Sequence, residues 1–353
     1  MANFGPNWFA SVMGTGIVAT AAVSLPVRLP GLRLLAVGGW VLAVVLLVAV
    51  TAATARHWRR YPTVARRHHL DPVMAHFYGA PPMALMTVGA ATLLAGRDVI
   101  GETAALAADW VLWTAGTIGG LITAVAVPYL QFTRHTGERE PFGGWLMPVV
   151  PPMVSAATGA LLIPYAPAGQ PRLTLLVACY AMFGVSLIAS FAVIPQIWQR
   201  LATRDVGPAR MVPTLWIVLG PLGQSITALN LLGGVAHLAL PHEYADTLRV
   251  LGVVYGVPVW GFTLLWMALA TAITVRTARA HLPFSLTWWS FTFPVGTCVT
   301  GTSALATHTG SDMLAGAAAL LYAGLLAAWT VVALRTTRGA LRGTLSLPAA
   351  PQR

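Results

Sequence analysis

Small polar side chains recur about one turn beyond a proline in four separate apolar stretches of this sequence, and a fifth holds one within a glycine pair. Pro152 is followed by Ser155 and Thr158, Pro221 by Gln224, Ser225 and Thr227, and Pro294 by Thr297 and Thr300. Thr87 lies five residues past Pro82, and Thr15 stands between Gly14 and Gly16 in the first stretch. A helix break frees backbone groups, because a proline leaves a carbonyl without its N–H partner; in lipid such groups must face protein or a wet cavity. Hydroxyls and a carboxamide beside them can solvate an ion. The competing reading is a set of packing kinks in which Ser, Thr and Gly only let helices approach closely. Four or five breaks in register favour a pore.

Charged groups inform by their absence. Cutting the chain at every Asp, Glu and Arg leaves ten long uncharged runs: 1–27, 34–55, 72–96, 110–133, 141–171, 173–199, 211–242, 250–275, 280–311 and 313–334. No acid or base is therefore expected deep in a span. Ion-driven pumps commonly carry a carboxylate at the midplane, and cation pathways use acidic rings, so neither is expected. An anion can instead be held by hydroxyls, freed amides and positive half-helix ends. His76 is the candidate titratable group within a run. Its functional reading is pH-sensitive control of anion access; the commoner role for such a residue is a hydrogen bond to a neighbouring helix. His237 and His308 are expected to be solvated at outer span ends. His76 and His237 lie toward opposite faces, which disfavours a membrane haem. Cys179 and Cys298 read as buried packing residues. No cluster of nucleophiles, acids or metal ligands converges, so no enzyme, metal or cofactor is expected.

The elements that must position these groups follow from composition. Of 353 residues 57% are hydrophobic and 9% charged, against about a quarter charged in a soluble domain. The shortest run has 22 residues, and a spanning helix needs about 20. The expected fold is all-α and polytopic, with ten transmembrane helices near 4–26, 34–55, 73–96, 110–132, 143–164, 173–197, 212–236, 250–275, 284–307 and 313–334, forming one domain over 1–353. The first run lacks a basic segment before it and is interrupted by glycine, so it reads as a retained helix and not a signal peptide. All 21 basic residues are Arg, and alternating loops place sixteen on one side and five on the other. That bias makes the Arg-rich side cytoplasmic, with both termini there. The +11 charge is thus a topology signal and not a nucleic-acid footprint. Proline-broken odd spans are expected to line a central pore, with even spans outside against the lipid bilayer.

The ninth span reads Trp288-Trp-Ser-Phe-Thr-Phe-Pro294. An aromatic ring ahead of a break either plugs a pore or packs against adjacent helices, and spacing alone favours the second for Phe291 and Phe293. Here a resemblance adds to the residues. Phe4-Gly-Pro-Asn-Trp-Phe-Ala-Ser-Val-Met-Gly-Thr-Gly-Ile17, Leu146-Met-Pro-Val-Val-Pro151 with Ala156-Ala-Thr-Gly159, Gly220-Pro-Leu-Gly-Gln-Ser225 and the ninth-span motif stand in the order found in the tellurite-resistance/dicarboxylate transporter family. That family includes TehA-type bacterial proteins, yeast malate and sulfite transporters and plant slow-type anion channels. The resemblance implies ten helices in five hairpins, odd helices around a pore, a homotrimer in the cell membrane, and an occluding phenylalanine at Phe293, with Phe291 as the alternative. It also implies passive or weakly coupled transport of small anions, C4-dicarboxylate (malate) or sulfite-type oxyanions first. Chloride or nitrate conduction and tellurite resistance are the alternatives, and a membrane enzyme or sensor the remote ones.

Overall fold

Proline and glycine divide this chain into helices of two kinds. The computed structural model describes residues 4–28, 30–134 and 140–343; the charges expected on the cytoplasmic side at Glu138, Arg139 and Arg353 lie outside them. Twelve α-helices are present among the described residues: α1 (Phe9–Ser24), α2 (Leu32–Arg60), α3 (Pro62–Arg67), α4 (Ala80–Ala91), α5 (Arg97–Ile100), α6 (Glu102–Thr133), α7 (Pro151–Gly159), α8 (Gln170–Thr203), α9 (Leu219–Val235), α10 (His242–Ala280), α11 (Phe293–Thr309) and α12 (Asp312–Leu341). No strand occurs among these residues. Seven helical stretches are long and apolar enough to cross a membrane: 32–60, 74–100, 102–133, 170–203, 209–238, 242–280 and 312–341.

Long straight helices form one class. Helices α2, α6, α8, α10 and α12 each have at least 29 residues. Pro128, Pro195 and Pro258 leave α6, α8 and α10 continuous. Their exposed faces carry large apolar side chains such as Val45, Val125, Ile188, Val254 and Leu320, as a lipid-facing surface requires. All five run into arginine at or just past their C-terminal ends (Arg60, Arg134, Arg204, Arg279 and Arg342), where a cation also complements the helix dipole.

The second class is short and buried. Helices α1, α4, α7, α9 and α11 expose no large apolar side chain, and they touch in ring order, α1 to α4 to α7 to α9 to α11 and back to α1. Each is preceded by a tighter 3-10 segment: Pro6–Trp8, Met74–Gly79, Gly143–Leu146, Ala209–Val218 and Leu286–Phe291. These five segments also touch in ring order, making a collar below the α-helical ring. The prolines explain the switch. Pro82, Pro152, Pro221 and Pro294 fall in the first turn of α4, α7, α9 and α11, where a missing N–H costs nothing and a fixed φ favours the helix. Breaks therefore do sit beside these four. Gly14 and Gly16 are different: α1 runs through both without interruption. Their role is contact, Gly14 against Thr292 and Trp289 and Gly16 against the Thr87 side chain.

Each inner helix also packs on the long helix that follows it (α2, α6, α8, α10 and α12 in turn). Indole N–H groups of the outer layer tie it to the ring. Trp40 donates to Thr92 Oγ1 at 2.9 Å, Trp113 to the Ser155 carbonyl at 2.9 Å, Trp260 to Thr302 Oγ1 at 3.0 Å and Trp329 to Thr15 Oγ1 at 3.1 Å. Within a bilayer such bonds are worth about 0.6 kcal/mol each on average, so they orient helices more than they bind them. Close approach within the ring depends on glycine. A Cβ on Gly223 would meet the Thr297–Cys298 backbone at 2.6 Å, whereas one on Gly220 would meet nothing. Gly223→Ala should therefore cost about 1–3 kcal/mol by overpacking and Gly220→Ala nearly nothing. Equal melting temperatures for the two variants in detergent would refute the tight α9–α11 contact.

Candidate functional site

Inside the ring lies a cavity of about 250 Å³. At ~30 Å³ per water it has room for roughly eight waters, or a small oxyanion with part of its hydration. Its lining is a helical stripe from every inner element. Ile17, Thr20, Val23 and Ser24 come from α1; Thr87, Ala90 and, just beyond the helix, Leu94 from α4; Val154, Ala157, Thr158 and nearby Leu161 from α7. Gln224, Thr227 and Leu231 come from α9, and Phe293, Thr300, Ala304, Thr307 and His308 from α11. Phe293 and His308 bound it along α11, fifteen residues or ~22 Å apart at helical rise. Lining residues run from the middle of each inner helix to its C-terminal end, away from the collar. Phe293 stands at the collar end, 2% exposed, so the cavity is closed where the 3-10 segments begin.

No Asp, Glu or Arg lines this space. Its hydroxyl hydrogens are largely spent on the helices' own carbonyls: Thr87 to Met83 at 2.7 Å, Thr158 to Val154 at 2.8 Å and Thr227 to Gly223 at 3.0 Å. Thr227 and Thr300 lie 2.7 Å apart, oxygen to oxygen. Such back-bonded hydroxyls satisfy themselves when the path is empty and must rotate to donate to an anion. Gln224 differs. It is buried and lines the cavity with its Oε1 unpartnered; that oxygen only accepts, so the donors the side chain can offer an anion are its two Nε2 hydrogens. Hydroxyls and one amide in a neutral wall can stabilise an anion without trapping it; a fixed cation would bind more tightly and slow release.

Of the residues expected to line a pore, Thr87, Thr158, Gln224, Thr227 and Thr300 line this cavity, and Thr15, Ser155, Ser225 and Thr297 do not. For Thr15, Ser155 and Ser225 the reason is angular, while Thr297, on the same stripe as Phe293 and Thr300, is held in the close α9–α11 contact at Gly223. Each α-helical residue turns 100° from the last, so the neighbour of a lining residue faces another helix. Ser155 receives a 3.1 Å bond from Thr117 of α6, Ser225 a 2.8 Å bond from Tyr255 of α10, and Thr15 one from Trp329 of α12. Thr297 donates to the Pro294 carbonyl at 2.7 Å and, more weakly, to that of Leu219 on α9 at 3.3 Å. Phe291 is likewise off the path, edge-on to Trp216 and Trp288 in the collar. His76 is buried in the collar, parallel to Trp145 and edge-on to Phe142. His308, expected to be solvated, is half-exposed and lines the far end of the cavity. Thr20, Ser24 and Thr307 were missed as well; they share the 3- and 4-residue spacing of the stripes but follow no proline. The helix stripe, not the distance from a break, was the usable signal.

A family model described as the voltage-dependent anion channel, SLAC1, matches residues 3–337. The chain belongs to that family. It is the same family that the four motifs resemble. Among similar proteins, the sulfite efflux pump SSU1 of Trichophyton rubrum is 30% identical over 310 residues, covering 86% of this chain and 82% of the relative. SSU1 of Arthroderma otae is 29% identical with the same coverage. An uncharacterized transporter of Methanocaldococcus jannaschii is 27% identical over 346 residues, 97% of this chain and 96% of its own. Membership makes this an anion-transport fold in a membrane, and the cavity within the ring is its candidate path. Cysteines at Thr87, Thr158, Thr227 and Thr300 should react with a water-soluble thiol reagent, and those at Thr15, Ser155, Ser225 and Thr297 should not. Equal labelling of both sets would mean that the cavity is not the aqueous route.

Proposed function

We propose that the protein carries small anions, sulfite-type oxyanions foremost, passively across the plasma membrane through this cavity, with Phe293 as the gate. The observation that carries the reading is a cavity without Asp, Glu or Arg, whose largely apolar wall is interrupted by hydroxyls, one carboxamide and His308 and which ends at a buried phenyl ring, in a chain of an anion-channel family. The sulfite preference draws on the relatives named as sulfite efflux pumps. In this reading the ten uncharged runs are ten spans. The ring contacts and the pairing of each inner helix with the long helix after it support five hairpins. Arginines ending the long helices support cytoplasmic termini, and the apolar outer faces are free for lipid and for the two neighbours of a homotrimer.

The mechanism follows from the lining. Burying an anion costs several kcal/mol unless donors replace its water. Gln224 supplies donors at once, and Thr87, Thr158, Thr227 and Thr300 supply them by rotating off their own helices. The α-helices that begin at the breaks point positive N-terminal ends toward the collar side of the cavity, which favours negative charge there. Phe293 holds the barrier: while its ring fills the collar end, the path is dry, and dewetting blocks an ion. Malate is the second reading, carried by the same donors.

Purified protein in liposomes should pass sulfite faster than malate, chloride or nitrate. Phe293→Ala should raise the flux by about tenfold, the factor for ~1.4 kcal/mol of barrier. Gln224→Leu should lower it by roughly tenfold or more, since a hydrogen bond to a charged group is worth about 1.5–3 kcal/mol. A folded Phe293→Ala protein with unchanged flux would remove the gate, and faster malate than sulfite would reassign the substrate.

A further inference from the structure

Asp109 belongs to no motif and lines no part of the path, yet it is the acid most deeply enclosed in the fold. The fourth span was expected to begin after it, but α6 starts at Glu102, so Asp109 lies within the helix, about two turns from its end. Its neighbours on the buried face of α6 are Ala105 and Trp113. Asp109 is 0% exposed, and neither carboxylate oxygen has a hydrogen-bond partner. Its Oδ1 lies against Gly89 of α4, in space that any Cβ at position 89 would fill. Gly89 is two residues from Thr87, which lines the cavity on the opposite side of α4.

The surroundings offer no counter-charge. Among the elements that pack on α6, α4, α7 and the turn Thr92–Gly96 contain no titratable residue. Arg97 and Asp98 of α5 sit at the exposed end, each about half exposed, and His76 and Tyr78 precede α4 at the opposite end. On α6 itself, Glu102 lies seven residues before Asp109, on the same face and ~10.5 Å away. Glu102 is exposed and accepts a 3.0 Å hydrogen bond from the Tyr165 hydroxyl. Cys179 of α8 is the remaining titratable neighbour of this region, beside Gly159 near Trp113. A carboxylate shut from water needs donors, a cation or a proton; here the first two are lacking.

We propose that Asp109 is a proton-binding site and that its charge state sets how closely α4 packs on α6 at Gly89. In the exchange the Asp109 carboxyl O–H breaks, its proton passes to water that enters between α4 and α6, and Asp109 is left as the hydrated anion. The anion cannot stay bare against Gly89, so α4 and α6 separate to admit water and the cavity wall at Thr87 moves. Proton binding stands apart from the transport reading; its effect on flux rests on that reading.

Asp109→Asn keeps the shape and removes the proton site. Infrared difference spectra of the reconstituted protein, taken between about pH 5 and pH 9 to cover the range of buried carboxyls, should show a carboxylic-acid C=O band that fades as pH rises. Asp109→Asn should lack that band. Its persistence in the variant, or its absence from the wild type, overturns the proton site whether or not the protein transports anything. If Asp109→Asn does not fold, Asp109→Glu must shift the band or its midpoint, and an unchanged band overturns the assignment equally. Anion flux across the same range should change by about fivefold or more in the wild type, the low end of ordinary coupling, and stay flat in Asp109→Asn. A variant that keeps the wild-type pH profile overturns the link to the pore wall.

Discussion

Close contact among five short helices is the constraint on which this structure depends. A cavity wall that mixes apolar side chains with uncharged hydroxyls can exist inside a bilayer only if every backbone group behind it is satisfied and no lipid reaches it. The ring achieves this with glycine. Gly223 lets α9 meet the backbone of α11, Gly16 admits the Thr87 side chain, and Gly79 and Gly143 bring collar segments against the carbonyls of Met147 and Thr214. Long outer helices then shield the ring, held by tryptophan N–H groups that reach inward. Larger side chains at the glycine positions would open seams before they changed any chemistry.

Proline gives the ring its polarity along the axis. On one side of the breaks the chain is tight 3-10 helix packed into a collar; on the other it is α-helix with a cavity between the rows of side chains. Phe293 occupies the boundary because it immediately precedes Pro294 at the start of α11. The same boundary collects the N-terminal ends of the α-helices. In the proposed function, gate, donors and favourable field thus arise from one feature repeated around the ring, and no charged side chain is needed in the path.

Much of this was legible in the residues. Uncharged runs mark the helices, and the prolines mark where 3-10 gives way to α. The family resemblance came from motifs spread along the whole chain. Facing was harder to read. Ser155 and Ser225 are polar and near breaks, yet each points to an outer helix, because one residue of offset turns a side chain by 100°. Helix ends also misled: cutting at charges placed Asp109 outside the fourth span, although α6 reaches back to Glu102 and buries it. Charge patterning defines the minimum length of a helix and not its start. Gly14 and Gly16 looked like a break because glycine weakens a helix in isolation, whereas here tertiary contact with Thr292, Trp289 and Thr87 decides.

The central claim is that a negative ion dwells inside the ring, between Gln224, Thr227 and Thr300, above Phe293. Selenite, a sulfite analogue with an anomalous scatterer, tests it most directly in soaked crystals. An anomalous peak within hydrogen-bond distance of the Gln224 carboxamide is the expected result. A peak confined to clefts among the outer helices, with the ring empty at saturating selenite, would contradict it.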